Sequence, residues 1–330
     1  MIITRTPLRI TLGGGGTDLP SYFERFGGLV LAAAINRYVY VGLKSSLTDE
    51  YVLSFPGVEE RAANPAALRH PIARVTLQQH PAGQPVELSS MADLPAGTGL
   101  GSSGAFTVGL LRALHTWTGA AVESAELAAQ ACEIEIDRLG LPVGKQDQYV
   151  AALGGLICLR FESDGRVRAT RPAIPARTIT ELQNHLLLFF TGYTRSAART
   201  LTDQHERTRA GDRRMIDNLH RVKEIGLCAV AALEACDTDG FAASLRAHWE
   251  LKRARSDGMT NTRIDSWYAY AMANGALGGK LVGAGGGGFL LFFAADPDRL
   301  RPAMEEVGLR EVPFRLAEEG CIPLTADRGS

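Results

Sequence analysis

The sequence predicts an α+β protein of two domains, residues 1–180 and 181–330, on three observations. Strand-like and helical runs come in groups, without the βαβαβ alternation that a doubly wound sheet requires. At 330 residues with 45% apolar content, the chain can bury a sizeable core and exceeds the usual size of one domain. Between the groups lies GRVRATRPAIPARTIT, residues 165–180, which is rich in Pro and Arg, lacks hydrophobic periodicity and reads as a boundary.

Alternating or short apolar runs predict strands at Ile2–Leu12, Leu29–Leu43, Tyr51–Phe55, Ile72–Gln79 and Val86–Leu88. Apolar residues at helical spacing then predict helices near Ala105–Thr118, Glu123–Leu139 and Asp147–Ala152, followed by a strand at Gly155–Phe161. The second group opens with a strand at His185–Thr191. Long helical patterns follow at Ser196–Arg209, Arg213–Ala235, Phe241–Arg255 and Asp265–Asn274. A strand at Gly288–Phe293, a helix near Pro297–Val307 and a strand at Glu311–Arg315 complete the expectation. The dense charges of 199–223 alternate in sign and read as a solvated helix face.

Charge is balanced, 35 basic against 36 acidic residues, so nucleic acid and anionic membrane surfaces are not expected partners. No apolar run approaches the length of a membrane span, and MIITRTPLRITL lacks the regions of a signal peptide, so the expected location is the cytoplasm. Cys132, Cys158, Cys228, Cys236 and Cys321 are odd in number and widely spaced, and read as buried thiols. The seven histidines form no metal-ligand spacing and receive no role, and oligomeric state is not legible.

The most informative segment is Pro95–Ala105, PAGTGLGSSGA, which has no long side chain except Leu100 and leads into a helical pattern. Opened by Pro95, the loop would bring Gly97, Gly99, Leu100, Gly101, Ser102, Ser103 and Gly104 to a helix N-terminus with their backbone N–H groups exposed, where negative charge is favoured. The two serine hydroxyls can touch phosphate or Mg²⁺, so the loop reads as a site for a nucleoside triphosphate with Mg²⁺. Gly99, Gly101 and Gly104 also satisfy the dinucleotide pattern, with Glu123 downstream. That pattern needs an apolar strand running into the first glycine, and here Asp93 and Pro95 interrupt it. A flexible connection is the other alternative.

Two more glycine clusters stand far away, PLRITLGGGGTDLP at residues 7–20 and GKLVGAGGGGFLLFF at 279–293. Glycines permit close approach of a backbone or a ligand, and Asp18 can accept hydrogen bonds from sugar hydroxyls. The three clusters, in this order and across nearly the whole chain, resemble the motifs of the GHMP kinase superfamily, named for galactokinase, homoserine kinase, mevalonate kinase and phosphomevalonate kinase. The resemblance implies a two-domain fold with the active site in the cleft between domains. Within the superfamily, GGGTDLPSYFERFGG (14–28), FTGYTRSA (190–197), WELKRARSDGMTNTRID (249–265) and NGALGGKLVGAGGGG (274–288) resemble the sugar-1-kinases. The wording is nearest to the heptose 7-phosphate kinases, and fucokinases share part of it.

What this resemblance implies is an ATP- and Mg²⁺-dependent kinase acting on a small sugar phosphate. The expected reaction phosphorylates the C1 hydroxyl of D-glycero-D-manno-heptose 7-phosphate to the α-1,7-bisphosphate, on the route to GDP-heptose. A different sugar-1-kinase, or a sensor of the same fold without turnover, are the alternatives. The run ACEIEIDRLGLPVGKQDQY turns between two helices at Leu141–Gly144, so Glu135 and Asp147 can converge across the turn. By resemblance Asp147, followed by Gln148, faces the reacting hydroxyl as general base, and Glu135 with Ser103 holds Mg²⁺. Arg9 lies beside Asp147 in that pattern, and Lys145 is expected to share its work on the developing charge. Gly14, Gly15, Gly16, Thr17 and Asp18 are expected to line the sugar floor, with Gly285 and Gly286 closing the cleft. Arg195 is the first candidate for the 7-phosphate, because a guanidinium binds phosphate bidentately. Lys252 and Arg255 are weaker candidates, since charges at helical spacing are more often surface.

Overall fold

The computed structural model describes residues 1–193 and 198–326. The first strand, Ile2–Gly13, lies inside an eight-stranded sheet. It pairs on one side with the long strand Gly28–Ser45, from Ile2 opposite Leu43 to Gly13 opposite Leu31. On its other side Ile322–Ala326 runs antiparallel, with Arg5 opposite Ile322, so the end of the described chain returns to its beginning. Strand Gly28–Ser45 is long enough to serve two further neighbours, Leu156–Phe161 beside its first half and Val86–Ala92 beside its second. Tyr51–Phe55 runs parallel to Val86–Ala92 and turns into Val58–Ala62. A second, antiparallel sheet has the order Arg310–Glu311, Leu186–Phe190, Phe289–Ala294, Ala276–Leu281.

Burial alternates along Ile2–Arg5 and becomes continuous from Thr6, the pattern of a strand covered on both faces. Helices Ser102–Thr118 and Arg213–Glu234 both pack on this strand and on Gly28–Ser45. Helix Thr238–Arg253 lies along Arg213–Glu234 and against Ala276–Leu281, which places the far end of the chain over the first glycine cluster. One apolar core runs through both sheets, with Ile10 and Leu111 in the same cluster as Phe241 and Leu291. A second cluster, including Trp249, Tyr268, Phe292 and Leu300, belongs to the small sheet and its helices.

The expected α+β class holds, with differences at particular elements. Ile72–Gln79 is not a strand but part of helix Pro71–Gln79: Ile72, Ala73, Thr76 and Leu77 bury one helical stripe, and His70 Nδ1 accepts from Ala73 N at the helix start. A short apolar run of this length fits either element, and here the buried helical stripe decides. Strand Ala276–Leu281 was not expected because Gly278 and Gly279 give no apolar alternation, although a Cβ at Gly278 would lie 2.0 Å from the Ala242 carbonyl oxygen. The helix from Ser124 does not run regularly to Leu139; after Cys132 it widens into a π-helical turn, Glu133–Arg138, that carries Glu135. The segment 165–180 contains an edge strand, Val167–Thr170, and the start of helix Ala176–His185. Strand Glu311–Arg315 shortens to Arg310–Glu311, two residues ahead of Pro313.

Candidate active site

The first glycine cluster forms the floor of a cleft of about 210 Å³, lined from both halves of the chain. Asp18, 2% exposed, sits in this floor and accepts from Gly16 N at 3.0 Å and from Gln146 Nε2 at 2.9 Å. Thr11 Oγ1 donates to Gln146 Oε1 at 2.6 Å, so the amide is fixed between strand and carboxylate. The close approach requires a glycine at 144, where a Cβ would lie 1.9 Å from Asp18 Oδ2. Burial, and then the charge of Asp147, push the Asp18 carboxyl above its ordinary value, and the N–H donors oppose this. Gly15, Gly16 and Asp18 line the cleft. Thr17 is wholly buried beneath them, its hydroxyl donating to the Gly14 and Leu29 carbonyls, so it shapes the turn. Gly14 faces the Leu29 carbonyl, away from the cleft.

The phosphate loop enters helix Ser102–Thr118 through Gly101, whose φ of 80° is left-handed. Gly97, Gly99, Gly101, Ser102 and Ser103 line the cleft; Pro95 is exposed outside it, and Leu100 is buried with its carbonyl accepting from Arg9 N. The loop meets the third glycine cluster at Gly99 and Gly283: a Cβ on Gly283, φ +78°, would fall 2.3 Å from Gly99 Cα. Gly104 lies under Asp147, where a Cβ would be 2.8 Å from that of the aspartate. Arg9, 5% exposed, donates from Nε to Asp147 Oδ1 at 2.7 Å, pairs with the same oxygen through Nη2, and donates from Nη1 to the Gly99 carbonyl. One guanidinium thus ties the carboxylate to the phosphate loop.

Glu135, 1% exposed, accepts from Ser103 Oγ at 2.9 Å and from Thr107 Oγ1 at 2.6 Å. Burial, the larger cause, and the Asp147 charge push its carboxyl up to about 7 against the pull of these donors. An all-oxygen pair of Ser103 and Glu135, holding a carboxylate that burial disfavours, fits a hard cation such as Mg²⁺ that takes its remaining ligands from phosphates and water. Among the described residues no cluster of three or more His, Cys, Asp or Glu forms a closed metal cage.

Lys145 is not brought to the site. Its ammonium donates to the Gly165 carbonyl at 2.8 Å and lies 5.1 Å from the centre of the Phe23 ring, and it is not among the residues that line the cleft. Gln148 is buried. Arg195 and Thr194, Ser196 and Ala197 lie outside the described residues. Gly285 lines the cleft, whereas Gly286 turns its N–H to the Met259 carbonyl.

The part of the cleft lining that the second half of the chain supplies is rich in basic groups and was largely missed. His248, Lys252, Arg255 and Lys280 are between 1% and 6% exposed, and all line the cleft. Lys280 Nζ lies 3.2 Å from His248 Nδ1, and Lys252 donates to the Leu281 and Gly283 carbonyls. Burial first, then the neighbouring cations, push Lys252 down to about 7 and Lys280 and His248 well below their ordinary values. The signal was present: Phe241, Leu245, His248, Lys252 and Arg255 continue one buried stripe at helical spacing, so charges stood where core residues belong.

A larger cavity of about 540 Å³, lined in part by Arg37, His185, Arg301 and Glu311, lies elsewhere, and its Arg301 is already paired with Asp298 and Glu311. The five cysteines are free; Cys132, Cys158 and Cys321 are buried as expected, but Cys228 is exposed and Cys236 partly so, because each falls on the outer side of its helix region. No described helix is long and apolar enough to cross a membrane.

A glycine-rich loop at a helix N-terminus, an Arg–Asp pair beside it and a polar floor thus meet in one cleft, an arrangement suited to phosphoryl transfer. Models of the GHMP kinase N-terminal domain and of the GHMP kinase C-terminal region match residues 67–155 and 229–310. The chain is 31% identical over 309 residues to D-glycero-alpha-D-manno-heptose 7-phosphate kinase of Campylobacter jejuni, covering 90% of each. It is 30% identical to mevalonate kinase of Methanothermobacter thermautotrophicus over 79% of this chain and 82% of that one. A crystal structure of a D-glycero-D-manno-heptose 1-phosphate kinase from Bacteroides thetaiotaomicron superposes with a TM-score of 0.79 at 24% identity, covering 98% and 99%. The chain belongs to the GHMP kinases, and its two domains are the N- and C-terminal domains of that family.

Proposed function

We propose that this kinase transfers the γ-phosphate of ATP to the C1 hydroxyl of D-glycero-D-manno-heptose 7-phosphate, giving the α-1,7-bisphosphate, with Mg²⁺ as cofactor. The observation that carries the reading is the Arg9–Asp147 pair, set between the phosphate loop and a floor of Gly15, Gly16, Asp18 and Gln146 suited to a polyhydroxylated acceptor. The likeness to the Campylobacter jejuni enzyme, over nine-tenths of both chains, supports the choice of sugar.

Each group then has a task. The N–H groups from Gly97 to Ser103 cradle the nucleotide phosphates. Ser103 and Glu135 would hold Mg²⁺, which when bound neutralises charge on those phosphates. Asp147 accepts the proton of the C1 hydroxyl. Arg9 engages Oδ1 of Asp147 twice, which holds the carboxylate in place, and its cation faces the transferring group. Asp18 and the Gly15–Gly16 backbone take sugar hydroxyls, so the acceptor is aligned before transfer, the main source of acceleration in phosphoryl transfer. An anomeric hydroxyl is acidic for an alcohol, so a carboxylate is a sufficient base.

Release of ADP with a panel of acceptors tests this reading. Heptose 7-phosphate should be turned over in preference to fucose, galactose and mevalonate, and Asp147→Asn should lower kcat about 10²-fold or more while nucleotide still binds. Preference for mevalonate, or undiminished turnover by the variant, would refute it.

A further inference from the structure

We infer that Arg255 reads the acceptor's own phosphate, the one remote from the hydroxyl under attack, an assignment that rests on the sugar-phosphate reading above. Arg255 is 6% exposed and stands against the glycine floor, where a Cβ on Gly16 would come within 2.5 Å of Nη1. Two neutral amides fix its plane: Nη1 donates to Gln204 Oε1 and Nε to Asn218 Oδ1, each at 3.0 Å. Gln204 is itself 1% exposed and donates to the Gly16 carbonyl at 2.8 Å. The remaining nitrogen, Nη2, is buried and has no hydrogen-bond partner among the described residues.

Buried donors are nearly always satisfied, so this one calls for an acceptor that arrives from outside. A guanidinium held by amides also keeps its whole charge available, whereas a carboxylate partner would neutralise it. Its cationic neighbours are similarly placed: Lys252 is bound to carbonyls and Lys280 to an imidazole. Asp18, the nearby carboxylate, already accepts from Gly16 and Gln146. No carboxylate among the described residues is hydrogen-bonded to these basic groups, and Asp18 acts on Arg255 only through space. Arg255 adjoins Gly16, in the floor given to the sugar, while the neighbours of the phosphate loop are Arg9 and Gly283. That position selects the acceptor's phosphate over those of the nucleotide, and a planar guanidinium matches a phosphate monoester.

The test compares wild type with Arg255→Lys and Asn218→Asp. The second variant is nearly isosteric at a half-buried position, keeps Arg255, and gives its Nε a carboxylate. The ratio of kcat/KM for heptose 7-phosphate to that for unphosphorylated heptose should fall about tenfold or more in both variants, mainly through KM. An unaltered ratio in both variants, whatever their stability, would mark Arg255 as structural and overturn the inference. Calorimetric titration with inorganic phosphate, the nucleotide site filled by a non-hydrolysable ATP analogue and Mg²⁺, tests Arg255 whichever sugar is accepted. Wild type should bind about tenfold more tightly than either variant. Absent or equal binding in all three overturns the assignment. If that affinity difference holds but wild type does not phosphorylate heptose 7-phosphate, the heptose reading alone falls.

Discussion

Lys252 has an ammonium where water scarcely reaches, bound to the Leu281 and Gly283 carbonyls and pushed from 10.5 down to about 7 by burial and by Arg255 and Arg9. The unfolded chain therefore holds this proton more tightly than the folded one. Stability should rise with pH between about 7 and 10.5 on account of this residue, because the unfolded state binds more protons in that window. Below that window both states are charged and the full cost of burial remains. Chemical denaturation at several pH values should give Lys252→Met a flatter profile than wild type across the window; parallel profiles would mean that Lys252 is not held in this way. Such residues were hard to read in the sequence, since a lysine on a helix is most simply a solvated one. Arg9, Asp18, Glu135 and Asp147 were legible because short motifs fix their local surroundings. Lys145 was misread because nearness to Asp147 in sequence says nothing of the direction its side chain takes.

At the scale of elements, the phosphate loop and the third glycine loop touch backbone to backbone, and Lys252 ties the latter to helix Thr238–Arg253. Gly283→Ala would place a methyl 2.3 Å from Gly99 Cα at a left-handed φ of 78°. A loss of about 2–4 kcal/mol in stability is expected from the steric and backbone terms together, accompanied by a higher KM for ATP as the loops separate. A thermal melt and ATP kinetics equal to those of wild type would show that the loops do not need this contact. Elements with strong periodicity, such as helix Arg213–Glu234, were readable almost to the residue. Ala276–Leu281 and Ile322–Ala326 were not, because one is glycine-rich and the other is a strand only by virtue of pairing with residues more than 300 positions away. Pairing overrides local pattern in both, across a hairpin with Phe289–Ala294 in the first and across nearly the whole chain in the second.

For the whole molecule, the cleft exists because a single chain brings three glycine clusters from its start, middle and end to one place. The returning strand Ile322–Ala326, the helix Arg213–Glu234 packed on the first strand and the core shared by both sheets link the two halves. That the clusters converge was legible as a family resemblance; that basic groups from the second half line the same cleft was not, since it depends on how helix Thr238–Arg253 is laid across the first half. The proposed reaction is a single transfer, from ATP to the anomeric oxygen of a phosphorylated heptose. Phosphorus NMR of the products formed from MgATP and D-glycero-D-manno-heptose 7-phosphate tests it most directly. A second phosphate signal coupled to the anomeric proton with the α configuration, beside the retained 7-phosphate, is the predicted result. ADP formed with no anomeric phosphate, or phosphate attached at any other carbon, would contradict it.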